Sequence, residues 1–140
     1  MRLRDVSIAA LYALAEKDER IVVMTGDLGF TILDPFINNL PKQHINAGIA
    51  EQNMAGMAAG LALEGKIVFI YSIANFPTFR CLEQIRNDIC YHELNVNILA
   101  SGCGLTYGQL GMTHHATEDL AILRALPEMT VFAPGDEWEC

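Results

Sequence analysis

Apolar residues recur along the chain with two spacings, and these alternate from one segment to the next. Residues 6–17 place Ile8, Leu11 and Leu14 at intervals of three, a spacing typical of an amphipathic helix. Residues 20–25 and 66–71 are short runs rich in β-branched side chains, as buried strands are. Applied to the whole chain, these criteria predict helices over 6–17, 33–40, 48–65, 79–92 and 117–125, and strands over 20–25, 44–46, 66–71, 95–100 and 129–133.

Strands and helices therefore alternate throughout. This order predicts an α/β fold of three layers, helix–sheet–helix, around a mainly parallel sheet. Ligands of such sheets bind at the carboxyl ends of the strands. The loops expected at that edge are 26–31, 47–51, 72–79 and 101–115.

The segment 48–65 is a predicted helix of unusually small residues with one acid, Glu51, in its first turn. A glycine inside a helix costs roughly 1 kcal/mol relative to alanine. The presence of Gly56 and Gly60 in the interior therefore predicts that something packs very close to this helix. From the pattern alone, Glu51 is equally well explained as a first-turn acid favoured by the helix dipole.

Composition and charge exclude several classes of function. Half of the 140 residues are hydrophobic (51%), which is enough for a core, but no apolar run approaches the roughly 20 residues that span a bilayer. A formal net charge of −8 and the lack of a basic stretch argue against nucleic-acid binding. The amino-terminal segment has no signal-peptide cleavage site, so we expect a cytoplasmic protein. The four cysteines form no CxxC pair and are expected to be free thiols, most simply buried ones.

The string INAGIAEQNMAGMAAGLALEGKIVFIYS resembles the glutamate helix of transketolase-type enzymes, which depend on thiamine diphosphate. The resemblance implies a thiamine-diphosphate-binding fold. It also implies that Glu51 is catalytic and cofactor-binding, sharing a proton with N1′ of the cofactor's aminopyrimidine. General acid–base groups of this kind contribute about 10²–10⁴-fold to rate.

Two further segments extend the resemblance. FIYSIANFPTFRCLEQIRND is similar to the family segment whose aromatic residues clasp the pyrimidine, which implies cofactor-binding roles for Phe76 and Phe79. Leu82 stands where the family often has a third aromatic residue. On periodicity alone, the two phenylalanines could equally be core residues on one helix face.

The loop over residues 106–115 resembles the family's GEDGPTHQ loop. The resemblance implies that His114 contacts the substrate and takes part in catalysis, and His115 follows it as in deoxyxylulose-phosphate synthases. A surface position is the alternative for both. Leu110 and Met112 replace the family's acid and proline, which hints at a more apolar acceptor than the usual sugar phosphate.

Three weaker candidates come from the same resemblance. Arg4 and Thr31 lie where the family has substrate-phosphate contacts, and a guanidinium suits phosphate through its paired donors. An arginine near the amino terminus is otherwise simply solvated. Asp27 follows a predicted strand and could orient a loop or touch the cofactor pocket.

The resemblance covers nearly all of residues 1–140 and only the pyrimidine-binding domain. The region that it covers does not include that domain's last helix and strand, the separate C-terminal domain, or the diphosphate-binding domain with its GDG-type metal motif. We therefore expect a transketolase-type transferase domain that is truncated at its carboxyl end and inactive alone.

A partner domain or subunit would hold the diphosphate and Mg²⁺ or Ca²⁺, with no metal ligand from this chain, in a homodimer or heterotetramer. The implied reaction transfers a two-carbon ketol unit between ketose and aldose phosphates or a related aldehyde. Two alternatives stay open: a synthase of the deoxyxylulose-phosphate type, and a non-catalytic assembly or regulatory domain of the same fold.

Overall fold

A computed structural model describes residues 2–140. Its strands are β1 (Ile21–Thr25), β2 (His44–Asn46), β3 (Ile67–Ile73) and β4 (Val96–Ser101). All pair in parallel in the order β2-β1-β3-β4. The longer helices are α1 (Leu3–Ala15), α2 (Asp34–Asn39) and α3 (Glu51–Leu63). The predicted α/β fold with a parallel sheet is confirmed.

Two hydrophobic cores lie on opposite faces of the sheet. Alternate residues of β1 serve each core: Val22 and Met24 pack with α3, whereas Ile21 and Val23 pack with α1 and α2. Because both faces are covered, β1 is buried at every position and forms one continuous apolar run in the sequence. The helix–sheet–helix layering follows from this arrangement.

The predicted helix over 79–92 is helical but irregular. It comprises a 3₁₀ turn (Phe79–Cys81), a single α-turn, α4 (Leu82–Gln84), and a π-helix (Ile85–Cys90). Side chains at its start take backbone acceptors: Thr78 Oγ1 donates to the Ala74 carbonyl, and Cys81 Sγ donates to the Phe76 carbonyl. Such departures from α-geometry occur often near functional sites.

The predicted strand over 129–133 is wrong. Within residues 2–140 this segment pairs with no strand, and β4 is an edge of the sheet. Met129 instead packs against the core that contains α3. A β-branched run becomes a strand only when a neighbour completes its hydrogen-bond ladder, and here none does. The last helix, α5 (Asp119–Leu123), is also shorter than predicted.

The close packing expected around the glycines of α3 is also not found within the described residues. Gly56 and Gly60 are exposed, and a Cβ placed on either would meet no atom within 4 Å. The face of α3 that carries Gly56 and Gly60 therefore points to solvent in this chain, whereas Ala55, Ala58 and Ala59 are buried in the core. None of the helices in residues 2–140 combines the length and apolarity that crossing a bilayer requires.

Candidate active site

Glu51 is the first residue of α3 and lies at the carboxyl edge of the sheet, just after β2. Its side chain is only 3% exposed. The end of β1 covers it: a Cβ on Gly26 would lie 3.6 Å from Glu51 Cγ. A residue larger than glycine at position 26 would therefore rest directly on this carboxylate. The carboxylate is buried at the carboxyl edge of the sheet, where the sequence places the loop over residues 47–51.

Arg80 is the ion-pair partner of this carboxylate. Its Nη1 donates a hydrogen bond to Glu51 Oε2 at 2.8 Å. Its guanidinium carbon also lies 4.6 Å from the centroid of the Phe76 ring, in cation–π geometry. The buried carboxylate is thus paired with a planar cation that rests on an aromatic face.

Sequence reasoning missed Arg80. An arginine after Phe79 on a regular helix is indistinguishable from a solvated surface residue. The signal that could have singled it out is the FPTF stretch before it, because proline and the threonine-to-backbone bond make a regular helix start unfavourable there. The resulting 3₁₀ turn carries Arg80 to Glu51.

Cys81 lies beside this pair and is a buried free thiol. Burial raises the pKa of the Cys81 thiol to about 11, and the neighbouring Glu51 charge adds to the effect while Arg80 opposes it. Its Sγ donates to the Phe76 carbonyl oxygen at 3.3 Å. Cys81 is therefore a packing residue at neutral pH. The other three cysteines are also free thiols, as predicted, but of these only Cys90 is buried, whereas Cys103 is exposed and Cys140 half-buried.

His114 reaches the same aromatic ring from the glycine-rich loop. Its imidazole packs edge-on against Phe76, with ring centroids 5.3 Å apart, and lies 6.5 Å from the Tyr107 ring. Its Nδ1 is 3.0 Å from Thr113 Oγ1. Asn75 Nδ2 holds this loop by donating to the Thr113 carbonyl at 2.9 Å. The structure thus joins His114 to Glu51 through Phe76 and Arg80.

Phe79 does not share the surroundings of Phe76. It lines a separate cavity of about 210 Å³, whose other walls are Asn75, Met112, His115, Thr117 and Glu118. His115 is turned away from His114, with its Nε2 3.1 Å from the Gly108 carbonyl oxygen. The side chains of Leu110 and Met112, which depart from the family loop, are both exposed.

Asp27 fastens two of the strand-end loops together. Its backbone N–H donates to Asn46 Oδ1, and Asn46 Nδ2 donates back to Asp27 Oδ1, both at 3.0 Å. The same Asn46 oxygen accepts the Gly48 N–H at 2.9 Å. Asp27 has a positive φ of 57°, so the reciprocal pair stabilises an uncommon backbone conformation next to Glu51.

Arg4 and Thr31 lie further out. Arg4 hydrogen-bonds Asp5 at 3.3 Å and interacts electrostatically with Tyr71 and Tyr107. The exposed Thr31 donates its N–H to Asp34 Oδ1 at 3.1 Å. In the described part of the chain, neither residue has a hydrogen bond or ion pair to Glu51 or His114. Residues 2–140 also contain no cluster of three or more side chains able to hold a metal ion.

The sequence can be compared with known proteins. A family described as "Transketolase, pyrimidine binding domain" matches residues 1–140. A protein of Methanocaldococcus jannaschii described as a transketolase C-terminal section is 49% identical over 127 residues, which cover 90% of this chain and 40% of that protein. One of the subunits of the apulose-4-phosphate transketolase of Phocaeicola vulgatus is 44% identical over 127 residues, 90% of this chain and 41% of its own length. The chain therefore spans about two fifths of the length of these relatives.

The fold can be compared in the same way. A solved structure described as a split gene transketolase, inactive beta4 tetramer, superposes with a TM-score of 0.85 at 42% sequence identity. The match covers 98% of this chain and 44% of that one. The layered parallel sheet seen here is therefore the one found in that split-gene transketolase.

Proposed function

Because the chain belongs to the transketolase pyrimidine-binding domain family, we propose that it forms the aminopyrimidine half of a thiamine-diphosphate site in a transketolase-type transferase. The observation that carries the proposal is the burial of Glu51 at the carboxyl edge of the sheet, beside the face of Phe76. When bound, thiamine diphosphate supplies the carbon centre that accepts and passes on a two-carbon ketol unit.

The groups around Glu51 fit the aminopyrimidine. The carboxylate of Glu51 already accepts an N–H from the planar guanidinium of Arg80, which lies over Phe76. The space that the guanidinium occupies therefore suits a flat, nitrogen-bearing ring. In the proposed site Glu51 shares a proton with ring atom N1′. Phe76 excludes water from that contact and orients the ring by stacking. Phe79 is the second aromatic residue proposed for the cofactor, acting from the adjacent cavity.

His114 is proposed to face the substrate. Its Nδ1 lies at Thr113 Oγ1 and its ring edge on Phe76, which orients the imidazole. Nε2 is then the atom that exchanges a proton with a substrate hydroxyl. Imidazole suits this role because one of its ring nitrogens can accept a proton while the other donates one.

A partner domain or subunit is proposed to hold the diphosphate and its Mg²⁺ or Ca²⁺, in a homodimer or a heterotetramer. The names of two matched proteins, one a transketolase subunit and the other a split-gene transketolase, support this division. The open face of α3 at Gly56 and Gly60 leaves room for a partner to approach the helix that carries Glu51.

The substrates are proposed to be a ketose phosphate donor and an aldehyde acceptor. Arg4 and Thr31 are proposed phosphate contacts, and Asp27 shapes the cofactor pocket through its pair with Asn46. The exposed apolar side chains of Leu110 and Met112 on the His114 loop favour an acceptor less polar than a sugar phosphate.

A synthase of the deoxyxylulose-phosphate type is the second candidate, because His114 and His115 are adjacent as in that group. The two candidates differ in their donor. Product analysis with a ketose phosphate in one reaction and pyruvate in another separates them, because only the synthase releases carbon dioxide.

The test of the main proposal uses the full chain with its diphosphate-binding partner, thiamine diphosphate and Mg²⁺. We expect Glu51→Gln to lower turnover by about 10²–10⁴-fold, because it removes the acid that shares the pyrimidine proton. Glu64→Gln, an exposed acid just after α3, is the matched control. Equal turnover of Glu51→Gln and wild type would refute the assignment. Cofactor binding without any transfer in wild type would favour the non-catalytic alternative.

A further inference from the structure

Arg80 makes, within this chain, the two contacts that the proposed cofactor ring needs. Its Nη1–H donates to Glu51 Oε2 at 2.8 Å, and its guanidinium carbon lies over the Phe76 ring, 4.6 Å from the centroid. A guanidinium is flat, delocalised and rich in N–H donors. It therefore reproduces the shape and hydrogen-bonding character of an aminopyrimidine held on one edge by a carboxylate.

The two occupants compete for the same place. Glu51 is 3% exposed, with Gly26 on one side and the guanidinium at Oε2. His114 already packs edge-on against Phe76. A ring that stacks on the Phe76 face while bonding to Glu51 has to take the position that the guanidinium holds.

Arg80 is well placed to leave. Its side chain is 45% exposed, and in residues 2–140 its guanidinium makes no ion pair other than the one with Glu51. It belongs to a 3₁₀ turn just ahead of a single α-turn and a π-helix. Swinging the side chain into water costs one partly exposed ion pair and one cation–π contact.

We propose that Arg80 is a latch: it closes over Glu51 and Phe76 and must be displaced when the aminopyrimidine binds. The proposal rests on the proposed function, since it needs thiamine diphosphate to be the ligand. It makes Arg80 a positioning residue that sets cofactor affinity, and the ion pair becomes a cost that binding must overcome.

The size of that cost follows from population arithmetic. If the latch is open in about a tenth to a third of molecules, the apparent dissociation constant is raised about three- to tenfold over that of an open site. A partly exposed ion pair supported by a cation–π contact is in the range that gives such a population.

The experiment measures thiamine diphosphate binding by calorimetry, in Mg²⁺, to the full chain assembled with its diphosphate-binding partner. Arg80→Gln keeps most of the side-chain length and removes the charge. We expect it to bind thiamine diphosphate about three- to tenfold more tightly than wild type. Arg86→Gln is the matched control. Arg86 lies in the same helical segment and is exposed, and its side chain donates to Asn87 Oδ1, so the affinity of this variant should equal that of wild type.

Arg80→Lys keeps the test valid if Arg80→Gln unfolds. Lysine retains the charge near Glu51 but has no planar fork to stack and bond at once. It should bind thiamine diphosphate more tightly than wild type, by a smaller factor than the glutamine variant. Thermal unfolding of each variant checks that the fold is kept.

The outcomes separate the latch from the proposed function. Binding by wild type with equal or weaker binding by both Arg80 variants overturns the latch and leaves the thiamine assignment standing. No binding by wild type or any variant overturns both.

Discussion

Each end of the parallel sheet holds one short arginine–carboxylate ion pair, and the two pairs lie in different surroundings. At the amino end, Arg20 Nη2 lies 2.7 Å from Asp18 Oδ2, directly before β1, with the Arg20 side chain 63% exposed and that of Asp18 29% exposed. At the carboxyl end, Arg80 lies 2.8 Å from Glu51, whose carboxylate is buried. Distance alone does not distinguish the pairs; burial of one partner does.

The buried polar side chains at the two ends of the sheet also differ in how firmly their partners are held. At the amino end, the buried Gln43 Nε2 donates to the carbonyl oxygens of Ala15, Asp18 and Ile21 at 3.0–3.1 Å. These contacts tie α1, its following turn and β1 to the start of β2. At the carboxyl end, one buried acid depends on a side chain that can swing away. The comparison indicates that the polar contacts of the amino end stabilise the fold, whereas the carboxyl end is where the ligand site is proposed.

The largest effect on stability is expected when alanine replaces one glycine at each end of the sheet. Gly102 follows β4 and Gly65 precedes β3, with φ of 89° and 86°. A Cβ on Gly102 would lie 2.2 Å from the Tyr107 ring, whereas one on Gly65 meets nothing within 4 Å. Gly65→Ala should lower the free energy of unfolding by about 1 kcal/mol through its backbone alone. Gly102→Ala should cost about 2–4 kcal/mol, because overpacking against Tyr107 is added. Urea unfolding of both variants measures this, and equal costs would contradict it.

Gln43→Leu is expected to come next. Removing its amide takes a donor from three backbone carbonyls at the amino end, of which the Asp18 carbonyl also accepts a further N–H, that of Ile21. The change should lower the free energy of unfolding by about 1–3 kcal/mol. Gln52→Leu, at an exposed position of α3, should change stability little. Thiamine diphosphate binding by the assembled enzyme should be unaffected by Gln43→Leu. If Gln43→Leu also lost affinity for thiamine diphosphate, the two ends of the sheet would be coupled, contrary to this expectation.

Double-mutant cycles sharpen the comparison of the ion pairs. The cycle of Glu51→Gln with Arg80→Gln should give a coupling of about 1–2 kcal/mol in the free energy of unfolding. The value is lower than that of a fully buried pair because Arg80 is half exposed. The cycle of Asp18→Asn with Arg20→Gln should give a coupling within experimental error. This small value is expected even though hydrogen bonds from Arg20 lower the pKa of Asp18 to about 2. Similar couplings at both ends would mean that burial of Glu51 does not strengthen its pair.

The smallest effect concerns His44, at the start of β2. Burial lowers the pKa of His44, and its Nε2 is buried without a hydrogen-bond partner among residues 2–140. The folded state therefore resists protonation more than the unfolded chain does, so stability should decline as pH falls through about 6.5, the unfolded value. Thermal midpoints between neutral pH and pH 5 should show a slope that His44→Gln reduces. His92→Gln, at an exposed histidine, should keep the wild-type slope.

Much of the fold could be predicted because it depends on local patterns. The continuous apolar runs of β1 and β3 mark strands buried on both faces, and the small-residue run after Gly48 marks α3 with Glu51 in its first turn. The segment 129–133 has similar local composition and is not a strand. Whether this segment forms a strand depends on pairing with β4, a non-local contact that composition does not encode.

The site divides in the same way. Glu51, Phe76 and His114 could be proposed as site residues from their motifs, and the structure brings them within one chain of contacts. Arg80 could not, because its approach to Glu51 requires the 3₁₀ turn that departs from the expected helix. The separation of Phe79 from Phe76 has the same cause, since a spacing of three on an irregular backbone no longer places two rings on one face.

The sequence by itself determined the four strands of the sheet and the helix of small residues that begins with an acid, because periodicity and helix-terminus preferences act over a few neighbouring positions. Only the tertiary structure decided that Arg80 pairs with this acid across 29 residues of sequence. The reason is physical: a buried carboxylate requires a partner, and which side chain can supply it depends on the path the backbone takes around the end of the sheet.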